Sequence, residues 1–231
     1  MIMNKADVCN TGVCRPGGFT ITDRAMEYCR FNKGSKLLDV GCGLGATVRH
    51  VAEKYGLDAY GIEKEQEVLE QAKAFPQSHR LQIGDAVHMP FGDEELDGII
   101  FECSLSKMKS PGEVLGEAYR ILKPGGYLIV SDIYARGEPA QLCGLLGRVA
   151  SRENLCSELE SSHFSVELFE DYSELLRATW GQMVFEYGLN ALYENLKTDC
   201  CKMRRVKCGY CLIIAKKEVF MNDLTGPGMG S

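Results

Sequence analysis

Three carboxylates stand at or just beyond the ends of successive apolar runs. Asp39 lies within KLLDV, Glu63 closes AYGIE, and Asp85 follows LQIG. Asp39 leads into a glycine turn, Asp39-Val-Gly41-Cys42-Gly43-Leu-Gly45-Ala46. Glycines there let the backbone approach a ligand resting on the N-terminus of the following helix. The Gly41, Gly43, Ala46 spacing also fits the relaxed dinucleotide fingerprint, and Glu63 stands at a suitable distance to grip a ribose. No Lys-Ser/Thr pair follows the turn, which excludes a P-loop. A carboxylate two residues before Gly41 repels a pyrophosphate and attracts a cation. Glu63 can accept hydrogen bonds from vicinal hydroxyls, and Asp85 can accept from an exocyclic amine. Together the three acids suit a ligand with an ammonium, a ribose and an adenine, and no phosphates.

Such residues converge only if strands carry them to one edge. Lys36–Val40, Ala59–Glu63, Arg80–Ile83, Gly98–Phe101 and Tyr127–Ser131 read as strands, too continuously apolar for a sheet with one wet face. Val48, Val51, Ala52 and Tyr55 form a helical stripe that Gly56 stops, and Val68, Leu69, Ala72 and Phe75 form another that Pro76 ends. Ser110-Pro-Gly-Glu113 reads as a capping box that opens a third helix, closed by Lys123-Pro-Gly-Gly126. Strand–helix alternation predicts an α/β, doubly wound, Rossmann-like sheet with helices on both faces. Before it, Thr20–Phe31 reads as a helix capped by Thr22 or Asp23. After it, Glu138–Ser162 reads as one or two helices, Phe164–Phe169 as a strand, Tyr172–Leu196 as one long helix and Tyr210–Ala215 as the last strand.

Four ordered segments, LLDVGCGLGATVRHVA, YGIEKEQEVLEQA, LQIGDAVHMPFGDEELDGIIFECSLSKM and EAYRILKPGGYLIVSD, resemble the class I S-adenosylmethionine-dependent methyltransferases. Within these, the chain is similar to the small-molecule type 11 group related to the ubiquinone/menaquinone C-methylases. The RPGG start, ECSLS and SDIYAR resemble a bacterial subset of that group. The resemblance covers Leu37–Asp132 and implies a seven-stranded, mostly parallel sheet with an antiparallel last strand. It implies S-adenosylmethionine as cofactor, with S-adenosylhomocysteine as product. Asp39, Gly41, Cys42 and Gly43 would surround the methionine portion, and Glu63 the ribose, with Lys64 beside it. Asp85 would meet the adenine amine and the Ala86 N–H the ring. Glu102 and Cys103 would lie near the sulfonium and the acceptor, with Glu102 either a base or simply the end of its strand. It divides the chain into an N-terminal cover over residues 1–35, a catalytic domain over 36–217 with a helical substrate-side cap at 137–200, and a flexible tail at 218–231.

Methyl transfer from a sulfonium is an in-line displacement, so the protein must mainly align the acceptor and exclude water. The segment after the fourth strand reads Glu102-Cys-Ser-Leu, not Asn/Asp-Pro-Pro-Tyr/Phe, which excludes the usual amino methylases of bases and glutamine. No Pro-Cys pair occurs, which excludes the cysteine-dependent RNA cytosine methylases. The leading expectation is therefore transfer to a small organic acceptor. Two alternatives stay open: an NAD(P)-binding oxidoreductase resting on the glycine turn, and a non-catalytic cofactor- or metal-binding module. His88 falls within a cofactor motif on the adenine side, while His50, His79 and His163 fall away from the motifs.

The chain has 231 residues, 45% hydrophobic and 25% charged, with net charge −6 and eleven cysteines. That length suits one α/β domain with a sizeable core. No apolar run approaches the ~20 residues that span a bilayer. The charge argues against nucleic-acid or anionic-membrane partners, and the basic run Lys202–Lys207 is local. The N-terminal residues lack a signal-peptide core, and scattered cysteines in a long αβ pattern fit a reducing cytoplasm. Cys200, Cys201, Cys208 and Cys211 invite a metal reading, yet an i, i+3 pair on the last strand points to opposite faces. The cysteines therefore read as small buried hydrophobes, and no metal is assigned. A monomer or a homodimer fits equally.

Overall fold

The structure is a computed structural model that describes residues 15–142, 146–196 and 200–219. In chain order the elements are α1 (Thr20–Cys29), β1 (Lys36–Val40), α2 (Ala46–Tyr55), β2 (Asp58–Glu63), α3 (Gln66–Ala72), β3 (Leu81–Ile83), β4 (Leu96–Glu102), α4 (Pro111–Ile121) and β5 (Leu122–Ala135). They continue as β6 (Ala140–Gln141), β7 (Arg148–Val149), α5 (Arg152–Ser161), β8 (Phe164–Asp171), α6 (Ser173–Tyr187), α7 (Leu189–Leu196), α8 (Cys200–Val206) and β9 (Cys208–Lys217).

Seven strands form one sheet in the order β3-β2-β1-β4-β5-β9-β8. β1 to β5 pair in parallel, and β9 runs antiparallel to both β5 and β8. β1, β4 and β5 are covered on both faces, as their composition requires, whereas β3, expected to be covered likewise, is an exposed edge strand whose Ile83 is 55% exposed. Leu37, Ile100, Ile129, Leu212 and Ile214 pack on one side with Ile21, Ala25, Val48, Val51 and Leu176 from α1, α2 and α6. Leu38, Val40, Ile99, Phe101, Leu128 and Ile213 pack on the other with Val114, Leu115, Ala118, Leu155 and Leu159 from α4 and α5. Each fully buried aliphatic side chain contributes about 1.5–3 kcal/mol relative to exposure, so these two layers hold the sheet together.

The strand order reverses between β1 and β4, and a doubly wound sheet binds ligands at the carboxyl ends beside such a reversal. β4 ends at Glu102, whose partner is Ser131, whereas β5 runs on to Ala135, opposite Cys208 of β9. The β5–β9 ladder thus overhangs the end of β4 by four residues, about 13 Å.

Several local expectations give way to longer-range packing. Among the described residues of 138–162 the helix begins at Arg152; before it β6 and β7 pair antiparallel, and β8 is an edge strand of the main sheet inside the region expected as a helical cap. The long helix expected at 172–196 breaks at Gly188, whose φ of 87° and ψ of 156° no helix accommodates. α1 starts after Phe19, and neither Thr22 nor Asp23 caps it. The Ser110 side chain makes no cap hydrogen bond, so the capping box does not form, although Pro111 opens the helix as expected. The Lys123–Gly126 turn is a register shift within β5 rather than a break before it. Cys9, Cys14, Cys143 and most of the expected tail lie outside the described residues.

Candidate active site

The acids converge at the carboxyl edge. Asp39 lies on β1 in register with Gly61 and Ile100 and is buried, at 4% exposure. Among the described residues no protein donor reaches its carboxylate. Burial, with Glu102 and Glu63 nearby, pushes its pKa well above the usual carboxylate range; the Arg15 charge opposes that rise. The turn that follows is tight: Gly41 has φ +78°, and a Cβ there would lie 2.9 Å from Ser104 Cβ. Cys42 is buried against Gly61, and burial raises its thiol pKa.

Glu63 ends β2 and is aimed back at this turn. Its Oε2 accepts from the Gly43 N–H at 3.1 Å, and its Oε1 from the Lys64 and Glu65 N–H groups at 2.8 and 3.1 Å. Lys64 Nζ donates to Asp85 Oδ2 at 2.7 Å, which together with the Val87 N–H holds the Asp85 carboxyl below its ordinary range. Ala86 is buried beside it. Asp39, Glu63 and Asp85 thus stand at or beside the ends of successive strands, with Gly41, Gly43, Lys64 and Ala86 on the turns that follow.

Glu102 stands differently. Its Oε1 accepts from Thr22 Oγ1 at 2.6 Å, its Oε2 from Thr47 Oγ1 at 2.5 Å, and Arg15 Nη1 pairs with Oε2. Arg15 also donates to Thr47 Oγ1 at 2.7 Å, Thr22 Oγ1 at 3.0 Å and the Gly18 carbonyl at 2.8 Å. The side chains of Arg15 and Glu102 are only 10% and 4% exposed. This closed network ties the RPGG segment and α1 to the end of β4. A second tie runs outside it: Phe19 stacks on His50 at 3.8 Å, and Asp23 accepts from His50, Lys54 and Tyr55. His50 therefore faces the N-terminal segment.

Cys103 follows Glu102 in the left-handed region, φ +53°, a strained conformation for a residue with a side chain. Its Sγ lies 3.0 Å from the hydroxyl of Tyr210, a fully buried residue of β9. That hydroxyl donates to the Ser131 carbonyl and accepts from Ser131 Oγ. Burial, with Asp132 adding to it, pushes the Cys103 thiol up to about 12, so it is protonated near neutral pH and is no nucleophile. Asp132, buried at 4% exposure, accepts from the Ser106 N–H, Ser106 Oγ and the Ile133 N–H, which fixes the Leu105–Lys107 turn over the site.

The residues that sequence reasoning did not single out here are Arg15, Thr47, Ser104, Tyr210 and the Ser106–Asp132 pair. Each is distant in sequence from the partner that gives it meaning, so no spacing exposes it. Cys208 and Cys211 pack into opposite core layers, and no metal-binding cluster of His, Cys, Asp and Glu occurs among the described residues. What fits S-adenosylmethionine is the donor set itself. Asp39 is a buried carboxylate without a donor, and Ser104 Oγ beside Gly41 is buried without a partner. A cationic, hydrogen-bonding ligand satisfies both.

Comparison with known proteins agrees with this geometry. Residues 38–130 match the family model described as "Methyltransferase domain". Methyltransferase GfsG of Streptomyces halstedii is 33% identical over 126 residues, 52% of this chain and 45% of that protein. The 27-O-demethylrifamycin SV methyltransferase of Amycolatopsis mediterranei is 26% identical over 178 residues, 69% of this chain and 65% of that protein. The chain spans about half the length of the first curated relatives it matches, 45% and 54%. Among solved structures, the [4+2]-cyclase SpnF superposes with a TM-score of 0.68 at 27% identity, covering 87% of this chain and 80% of that one. A phosphoethanolamine N-methyltransferase of Haemonchus contortus shares the fold, with a TM-score of 0.72 at 17% identity over 93% of this chain and 56% of that one. Residues 38–130 are thus similar to the methyltransferase domain family.

Proposed function

We propose that this chain moves a methyl group from S-adenosylmethionine to a small-molecule acceptor. The observation that carries the reading is Asp39: a buried carboxylate beside a glycine turn, lacking any protein donor among the described residues. A pyrophosphate placed there meets like charge, which disfavours the NAD(P) alternative, whereas an ammonium and a sulfonium supply the missing counter-charge. Asp39 and the Gly41–Gly43 turn would hold the methionine end, Glu63 the ribose hydroxyls, and Asp85 with the Ala86 N–H the adenine.

When bound, the cofactor supplies a methyl already activated on positively charged sulfur. The acceptor's lone pair forms the new bond to carbon while the carbon–sulfur bond breaks and its electron pair stays on sulfur. The chain's part is alignment and exclusion of water. Glu102, with its oxygens committed to Arg15, Thr22 and Thr47, anchors the N-terminal segment instead of taking a proton. Cys103, protonated and held by Tyr210, walls the acceptor side without forming a covalent intermediate. We place the protein in the cytoplasm, a reading supported by its buried thiols at Cys29, Cys42 and Cys211 and by the lack, among the described residues, of a helix long and apolar enough to cross a membrane.

The likeness to the [4+2]-cyclase SpnF favours one alternative, a cofactor-binding fold put to chemistry other than methyl transfer. Calorimetric titration with S-adenosylmethionine, S-adenosylhomocysteine and NADH tests the cofactor. A following screen with methyl-labelled cofactor tests transfer. Binding of the sulfur nucleosides with label appearing in an acceptor supports the proposal. Preference for NADH overturns it, and tight binding without transfer across the screen favours the alternative.

A further inference from the structure

The acceptor side carries a cationic rim that the methyl-transfer reading does not use. Beyond the end of β4, the overhanging β5 strand continues into Arg136 and Gly137, which pair with the end of α8. The Arg136 N–H donates to the Lys207 carbonyl at 3.3 Å, the Gly137 N–H to that of Val206 at 2.9 Å, and the Glu138 N–H to that of Arg205 at 3.0 Å. A Cβ at Gly137 would lie 2.1 Å from the Arg205 carbonyl oxygen, so only glycine allows this zipper. Inside, Val206 is buried in the core, and Met203 packs against it. Outside, Arg136, Arg204, Arg205 and Lys207 are all exposed. Lys107, on the turn pinned by Asp132, is exposed on the same edge, and its charge acts on both Cys103 and Asp132.

Cations elsewhere in this chain are mostly paired. Arg24 meets Glu170, Lys36 meets Glu95, Arg80 meets Asp58 and Arg120 meets Glu117. Arg204, Arg205, Lys207, Arg136 and Lys107 form no ion pair with a described carboxylate, although the Arg136 charge acts on Asp171, that of Lys107 acts on Asp132, and Glu138 stands next to the cluster. Lys207 also adopts the left-handed region, φ 49°, where glycine is the unstrained choice. A basic cluster without ion pairs to described carboxylates, on the carboxyl edge of a chain of net charge −6, offers a small anion a favourable site. The patch spans one short helix and one strand end, and the acidic remainder repels an extended polyanion, so the counterpart is a small one.

We propose that Arg136, Arg204, Arg205 and Lys207, with Lys107, form the anion-recognising end of the acceptor site, and that the acceptor carries a carboxylate or phosphate about 13 Å beyond the strand end where Glu102 and Cys103 sit. This substrate class rests on the methyl-transfer reading, but the site can be tested apart from it.

The full chain, with and without saturating S-adenosylhomocysteine, is titrated by ligand-observed NMR with phenyl phosphate, benzoate and neutral benzyl alcohol. The proposal expects at least one anion to bind about tenfold or more tightly than the alcohol, with the preferred anion identifying the acid group. Arg204→Ser/Arg205→Ser weakens that binding by a similar factor and leaves S-adenosylhomocysteine affinity unchanged. Lys207→Gly weakens it as well while raising Tm, because it relieves the left-handed strain as it removes the charge; a merely structural lysine would raise Tm alone. Equal binding of the alcohol and the anions, or anion binding unaltered in both variants, overturns the rim. Failure of S-adenosylhomocysteine to bind while anions still do overturns the cofactor reading and leaves the rim standing.

Discussion

The two ends of the sheet's carboxyl edge are built by opposite means. At the end proposed for the cofactor, β1, β2 and the segment after β3 each deliver an acid within a few residues of a strand terminus, held by nearby turn groups and adjacent strand ends: Glu63 takes the N–H groups of Gly43, Lys64 and Glu65, and Asp85 meets Lys64. At the acceptor end, function-bearing side chains are fixed by partners far along the chain, Arg15 by Glu102, Cys103 by Tyr210 and Ser106 by Asp132. The family match covers residues 38–130, whereas Arg15, Asp132 and Tyr210, which supply these long-range partners, lie outside it. On the proposed reading, cofactor recognition would reside in short turns and strand ends, and acceptor recognition in how elements distant in sequence pack.

The sharpest way to break this comparison is at the network that joins the two ends. Arg15→Ala leaves Glu102 buried without its counter-charge, which costs about 3–5 kcal/mol and lowers Tm by roughly 6–20 °C in thermal unfolding. Adding Glu102→Gln should restore part of that loss. An Arg15→Ala protein that melts with wild type would show that the N-terminal segment is not integral to the fold.

Next in size is the cofactor end alone. Glu63→Ala should weaken S-adenosylmethionine binding by about 3 kcal/mol, on the order of 100-fold by calorimetry, with little change in acceptor-side thiol reactivity. A variant that binds normally would remove the ribose role and with it this account of the cofactor end.

Asp39→Asn should weaken the cofactor about tenfold, one charge-assisted contact. It also carries a pH signature. Because the folded-state pKa of Asp39 is raised, protonation favours the fold. Its stabilising contribution is full below the ordinary aspartate value of ~3.9 and is lost as pH rises through the raised value. As pH rises from about 4 through the raised folded-state value, the Tm of the ligand-free wild type should therefore fall relative to that of Asp39→Asn. Saturating S-adenosylmethionine should narrow the gap, and parallel Tm curves would contradict this account.

The smallest effect separates a cap that forms from one that only reads like one. Ser151 Oγ accepts from the Asn154 N–H at 3.2 Å, so Ser151→Ala should cost about 1 kcal/mol in denaturant unfolding. Ser110→Ala should change almost nothing, since that side chain caps nothing.

These contrasts trace what was legible. The five parallel strands, the acid ends and the glycine turn were readable because a strand covered on both faces must be apolar throughout and a turn approached by a ligand needs glycine. Tyr210–Ala215 was readable as a strand for the same reason, and Phe164–Phe169 because its apolar and polar residues alternate. The β6–β7 pair before α5 was not, because its two-residue strands carry no periodicity. The break at Gly188 hid inside a continuous helical pattern. The commitment of Glu102 to Arg15 and of Thr22 to Glu102 was invisible, because a carboxylate at a strand end looks the same whether or not a distant guanidinium meets it.

The sequence by itself determined the sheet, its crossovers and the cofactor end, since periodicity, turn chemistry and strand-end acids are local properties. Only the tertiary structure decided which of those acids are open to a ligand and which are closed by a neighbour. It also decided that the β5–β9 ladder overhangs β4 and carries the basic segment beyond the end of that strand. Both follow from long-range register and burial: the antiparallel return of β9 places Tyr210 beside Cys103, and the docking of the N-terminal segment places Arg15 on Glu102.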